Sequence, residues 1–140
     1  MFFAAILLAV AGSVVYHLSI KQLPQDLNPF FSLAVSYGLA LALALCLAGM
    51  WWLPGGQRDP SALGWSNLGV ALGILGIEMG FLLAYRAGWN LGYAALSANV
   101  LSAALLLPIG YWLFRESLSP GRLAGLGLSL AGLWMMLRFR

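Results

Sequence analysis

The chain has 140 residues, 62% of them hydrophobic and only 8% charged, with a net charge of +3. Soluble domains carry about 25% charged residues, so there is too little polar surface here to coat a soluble globule, and a mean hydropathy of +0.91 reads as an integral membrane protein embedded in a lipid bilayer. The seven Lys and Arg residues are scattered and form no basic patch, which leaves a nucleic-acid partner without support.

The first helix is predicted over about 2–20, closed by the polar run Lys21–Pro29. The chain is apolar from Phe2 without a positive leader region, so this segment reads as a retained helix rather than a cleaved signal peptide. The second helix is predicted over 29–52, with Pro29 suited to its first turn. Its single cysteine, Cys46, reads as a small packing residue. The stretch from Leu53 to Ser66 is the longest polar connection, and its Pro, Gly and Asp content marks a loop.

Helices three and four, 67–85 and 91–114, are joined by a short polar hinge at Arg86–Asn90 and read as a transmembrane helical hairpin. Each is about 20 residues, enough to cross a bilayer core of roughly 30 Å. A turn at Arg115–Pro120 follows, where Ser117 or Ser119 could cap the fifth helix, predicted over 121–137. Trp51, Trp52, Trp65, Trp89, Trp112 and Trp134 lie near helix ends, as an aromatic belt requires. The expectation is an all-α membrane protein forming one transmembrane domain over 1–140 with five spans.

Five spans place the termini on opposite sides. Arg58, Arg115 and Arg122 then share one side, and Lys21, Arg86, Arg138 and Arg140 the other. Three against four is no bias for the positive-inside rule to act on. A chain inserting both ways could build an inverted homodimer; a fixed orientation or a partner chain that sets it is the alternative. Glycines at helix-packing spacing (Gly69, Gly73, Gly76 and Gly80; Gly121, Gly125 and Gly127) fit close helix approach in lipid.

Glu78 is the only acidic residue within the apolar interior of a segment. A charged carboxylate there costs about 2.5 kcal/mol or more and by default marks function. Counting from the hinge at 1.5 Å per residue, Glu78 and Asn99 lie at equal depth, roughly 12–15 Å from the boundary. Ser36 and Tyr37 on helix two and Ser13 on helix one fall at a similar level. His17 and Tyr85 lie nearer the boundary, Tyr85 on the same face as Glu78.

The functional reading is a central cavity in which a substrate cation and a proton compete for Glu78, with Asn99 and Tyr37 as hydrogen-bonding partners. The structural alternative is that Glu78 is a packed, protonated residue or pairs with Arg86. Asn99 could equally be interhelical glue, and His17 an interfacial residue. Pro108 interrupts helix four and could act as a hinge or be an inert kink. No Cys/His metal cluster, Ser/His/Asp set or phosphate loop is readable, so neither an enzyme nor a cofactor or metal is expected.

The run from Ser97 to Gly132, SANVLSAALLLPIGYWLFRESLSPGRLAGLGLSLAG, resembles the end of an EamA-type repeat of the drug/metabolite transporter superfamily. The likeness lies in the mid-helix Pro108, in Glu116 followed by Leu118-Ser119, and in the glycine-spaced last helix. Leu7–Pro24 fits the first helix of such a repeat more loosely. The resemblance implies a single five-helix repeat, completed to ten helices by an inverted second copy or a paralogous partner, with helices one to four lining the pathway. Small multidrug resistance proteins, distant relatives, carry their essential Glu in the first helix, where this chain has none. Glu116 falls at the membrane boundary, where pairing with Arg115 or Arg122 would be structural.

The leading expectation is therefore a small bacterial inner-membrane transporter of an organic solute or metabolite, working as an antiparallel dimer by alternating access and proton-coupled through Glu78. A subunit of a lipid-linked sugar flippase and a non-transporting scaffold or accessory subunit are the alternatives.

Overall fold

The computed structural model describes residues 2–50 and 64–139. Trp51, Trp52, Arg58, Arg140 and most of the loop predicted over 53–66 lie outside the described residues. Five α-helices are present among the described residues: α1 Phe2–Lys21, α2 Pro29–Met50, α3 Trp65–Arg86, α4 Leu91–Phe114 and α5 Pro120–Arg138. No strand occurs among the described residues.

The helix starts follow from short-range chemistry. Asn28 caps α2: its Oδ1 accepts from the backbone N–H of Phe30 at 2.9 Å and of Phe31 at 3.4 Å, and Pro29 supplies a first-turn residue that has no N–H to satisfy. Asn90 caps α4 in the same way, accepting from Gly92 N at 3.0 Å. Ser119 is the cap of α5, accepting from Arg122 N at 3.3 Å, with Pro120 behind it. Between α3 and α4, Gly88 has φ +86°, a left-handed conformation that costs glycine nothing.

α1, α2, α3 and α4 are each long and apolar enough to cross a membrane. α5 is shorter, carries Gly121, Gly125, Gly127 and Gly132, and has Arg122 and Arg138 within its ends. Large side chains cover the outside of the helices: Phe3 is 82% exposed and Trp65 and Trp112 are each 87% exposed. In water that surface would be untenable; in lipid it is the solvated state. Trp89 and Trp134 are also exposed, and the Arg138 guanidinium stacks 5.1 Å from the Trp134 ring centroid.

The chain divides into two compact units, Ser19–Arg86 and the combination of residues 1–18 with 87–140. In the first, α2 packs on α3, and the buried residues are Ile20, Ser32, Leu33, Leu82 and Tyr85. In the second, α4 packs on α5, with Ala94, Ser97, Val100 and Leu133 buried. Cys46 is exposed on α2, so it does not fill the interior of the described protein.

Candidate functional site

The Ser19–Arg86 unit holds four of the residues singled out from the sequence. Tyr37 on α2 and Glu78 on α3 face one another, phenol to carboxyl, within electrostatic reach, and both are half-buried. The approach stops short of a fully formed hydrogen bond, because the solvent-shielded Tyr37 Oη makes none of regular geometry among the described residues. A buried hydroxyl without a partner is costly and rare. Here the nearby Glu78 carboxyl is the acceptor available to it.

Ser36 is tied to its own helix, its Oγ donating to the Ser32 carbonyl at 3.1 Å, a back-bond typical of serine inside a helix. Tyr85 is only 6% exposed. Its ring stacks on Phe81 at 6.0 Å between centroids, and the Lys21 ammonium sits 5.8 Å from its centroid, a cation–π contact. Tyr85 thus lies two helical turns from Glu78, beneath a cation supplied by the end of α1.

Arg86 does not pair with Glu78. Its Nη2 donates to the Leu27 carbonyl at 2.6 Å and to the Pro24 carbonyl at 3.2 Å. The guanidinium thereby fastens the last turn of α3 to the loop between α1 and α2. Its Nε is buried without a partner. This role was not legible from sequence, where Arg86 reads as a hinge residue. Main-chain acceptors 59 and 62 positions away leave no side-chain signature.

The other unit holds Ser13, His17, Asn99 and Pro108. Ser13 is exposed on α1. His17 is half-buried and meets the Tyr16 ring edge-on at 5.0 Å. Asn99 lines a cleft between α4 and α5, together with Ser129 and Arg122. Pro108 lies in the interior of α4, on an exposed face.

The α4–α5 turn has its own geometry. Arg115 adopts φ 53°, ψ 34°, left-handed backbone that is uncommon for a residue with a Cβ. The turn folds Glu116 back onto α4: its N–H donates to the Gly110 carbonyl at 3.1 Å, and its Oε2 would stand 2.9 Å from a Cβ at position 110. Glycine at 110 is what admits the carboxylate. The expected pairing of Glu116 with Arg115 or Arg122 is not formed among the described residues; Arg122 Nη1 donates instead to the Ser117 carbonyl at 2.7 Å.

The model of the EamA-like transporter family matches residues 2–138, from the first residue of α1 to the last of α5. The chain belongs to the EamA-like transporter family. No curated protein and no solved structure matches it. Family membership and the four long apolar helices make this a multi-pass integral membrane protein of a transporter family, and its five helices correspond to one EamA repeat.

Proposed function

We propose that this EamA-family chain is a small transporter of an organic solute or metabolite that works by alternating access, with Glu78 as its ionisable centre and protons as the coupling ion. The observation that carries this reading is the Tyr37–Glu78 pair. Arg86 is held by main-chain carbonyls, so no arginine neutralises the carboxyl from further along α3. An ionised carboxylate in an apolar segment needs a counter-ion or a proton. A cationic substrate and a proton are then mutually exclusive occupants, which is the logic of exchange. Tyr37 can donate to the ionised form and accept from the protonated form.

Alternating access in small transporters rests on inverted repeats about a midplane site. One five-helix repeat would obtain its inverted partner from a second, oppositely inserted copy, or from a paralogue. The three-to-four distribution of cationic side chains supports weak orientation. In this reading α5 is a fifth span, the termini lie on opposite sides of a bacterial inner membrane, and Asn99, Ser13, His17 and Tyr85 contribute to the pathway, with Pro108 as a pivot.

Two experiments test it. Proteoliposomes with a trapped pH dye are challenged with a panel of drugs and metabolites; a solute-dependent proton flux that Glu78→Gln abolishes is expected, and an unchanged flux in that variant ends the coupling idea. Single cysteines at Gln57 and after Arg140, in a Cys46→Ala background, are labelled from outside the cell. Partial labelling at both sites supports dual insertion, whereas full labelling at one and none at the other removes the inverted homodimer and leaves a paralogous partner or a non-transporting assembly.

A further inference from the structure

α4 and α5 leave a shallow, open cleft of about 290 Å³ between them. Its apolar wall is Val100, Ala103 and Leu107 on α4, with Leu126 opposite on α5. Positions 100, 103 and 107 recur at the spacing that puts residues on one helix face. They form a strip roughly 10 Å long at 1.5 Å per residue, parallel to a helix long and apolar enough to span the bilayer. Asn99 lies towards one end of the strip, and Arg122 lines the other.

Arg122 belongs to the first turn of α5, beside the connection from α4. Its Nη1 is fixed on the Ser117 carbonyl at 2.7 Å. A guanidinium has further N–H donors in a planar fork suited to phosphate, so this bond orients the group without saturating it. The connection carries Arg115 and Arg122 against one acid, Glu116, whose carboxylate is turned onto Gly110. Arg122 is the charged residue that lines the cleft, and Val100, Ala103, Leu107 and Leu126 make its wall largely apolar. A cation at the end of an open, largely apolar groove on a membrane helix matches a ligand with an anionic head and a hydrocarbon tail.

We propose that the α4–α5 cleft is a binding site for an anionic phospholipid, the phosphate on Arg122 and an acyl chain along Val100, Ala103, Leu107 and Leu126. The proposal uses neither Tyr37 nor Glu78 and does not depend on what the protein transports.

The test uses the full chain in nanodiscs containing equal phosphatidylglycerol and phosphatidylethanolamine. The lipids retained after release are counted by native mass spectrometry. Wild type is expected to retain phosphatidylglycerol selectively. Arg122→Gln lowers that retention roughly fivefold, the equivalent of about 1 kcal/mol for one arginine near an anionic headgroup. Arg122→Lys, which preserves the charge, keeps the selectivity. Ala103→Phe fills the cleft and lowers retention with Arg122 intact. Equal retention of the two lipids by wild type overturns the proposal, as does selectivity that survives Arg122→Gln. A chain dimer that carries no lipid and that Ala103→Phe dissociates would show instead that a second copy occupies the cleft. Should Arg122→Gln fail to fold, Ala103→Phe carries the decision: selectivity that survives it overturns the proposal.

Discussion

Arg86 at the end of α3 donates Nη2–H to the Leu27 carbonyl at 2.6 Å, across 59 positions of sequence. This bond and its companion to Pro24 anchor the α1–α2 loop. Hydrogen bonds to a charged group contribute about 1.5–3 kcal/mol. Arg86→Leu is expected to lower stability by about 2 kcal/mol, read as a fall in thermal midpoint in detergent. Arg86→Lys should recover only part of it, since an ammonium cannot reproduce a planar fork on two carbonyls. A melt of Arg86→Leu identical to wild type would show that the loop is held by other contacts.

Tyr37 and Glu78 form the pair on which proposed transport rests. Glu78→Gln keeps the shape and removes the ionisation, so solute-driven proton flux should vanish and any residual solute movement should no longer vary with pH. In the wild type, raising the proton concentration should compete with a cationic solute. Tyr37→Phe leaves the carboxyl titratable, and pH dependence should persist with solute affinity reduced by about 1 kcal/mol, the worth of one hydrogen bond. Glu78→Ala that transports like wild type would instead mark the carboxyl as a packing residue.

Glu116 lies over Gly110, where a Cβ would meet its Oε2 at 2.9 Å. Gly110→Ala should displace the carboxylate, but Glu116 is exposed and its flexible side chain can swing aside, so the cost should be small, about 0.5 kcal/mol. The double variant Gly110→Ala, Glu116→Ala should recover much of that loss, because the clash needs both partners. Additive losses in thermal melts would show that the two positions are not in contact.

Asn28 caps α2 through Phe30 and Phe31. Asn28→Ala should cost about 1 kcal/mol, and Asn28→Asp should retain most of the stability. Hydrogen exchange localised to the first turn of α2 is the direct readout; an unchanged exchange rate there in the alanine variant would refute the cap.

The helix count and the polar breaks between helices were legible because both are written locally: long apolar runs, prolines at helix starts, asparagine and serine caps. Glu78 stood out for the same reason, as a lone acid in an apolar run. What faces what was not legible. These helices are apolar all round, so the periodicity that betrays the buried face of a soluble helix has nothing to contrast with. Asn99 shares a cleft with Arg122 and Ser129 on α5, a pairing that depth counting along the chain does not contain. The Lys21–Tyr85 contact and the Arg86 anchor are likewise long-range, and no local pattern in the sequence marks them. Nothing in the sequence distinguishes Gly110 from the other membrane glycines; only the fold places Glu116 against it.

The acceptors that hold Arg86 are main-chain oxygens of Pro24 and Leu27. Such acceptors exist whatever side chains stand at those positions and carry no proton to lose. The fastening therefore dictates the path of the loop but not its composition, and acidification cannot release it by titrating an acceptor. If Glu78 carries protons as proposed, that traffic would leave the neighbouring loop moored, a division of labour between a chemical element that changes state and a mechanical one that does not.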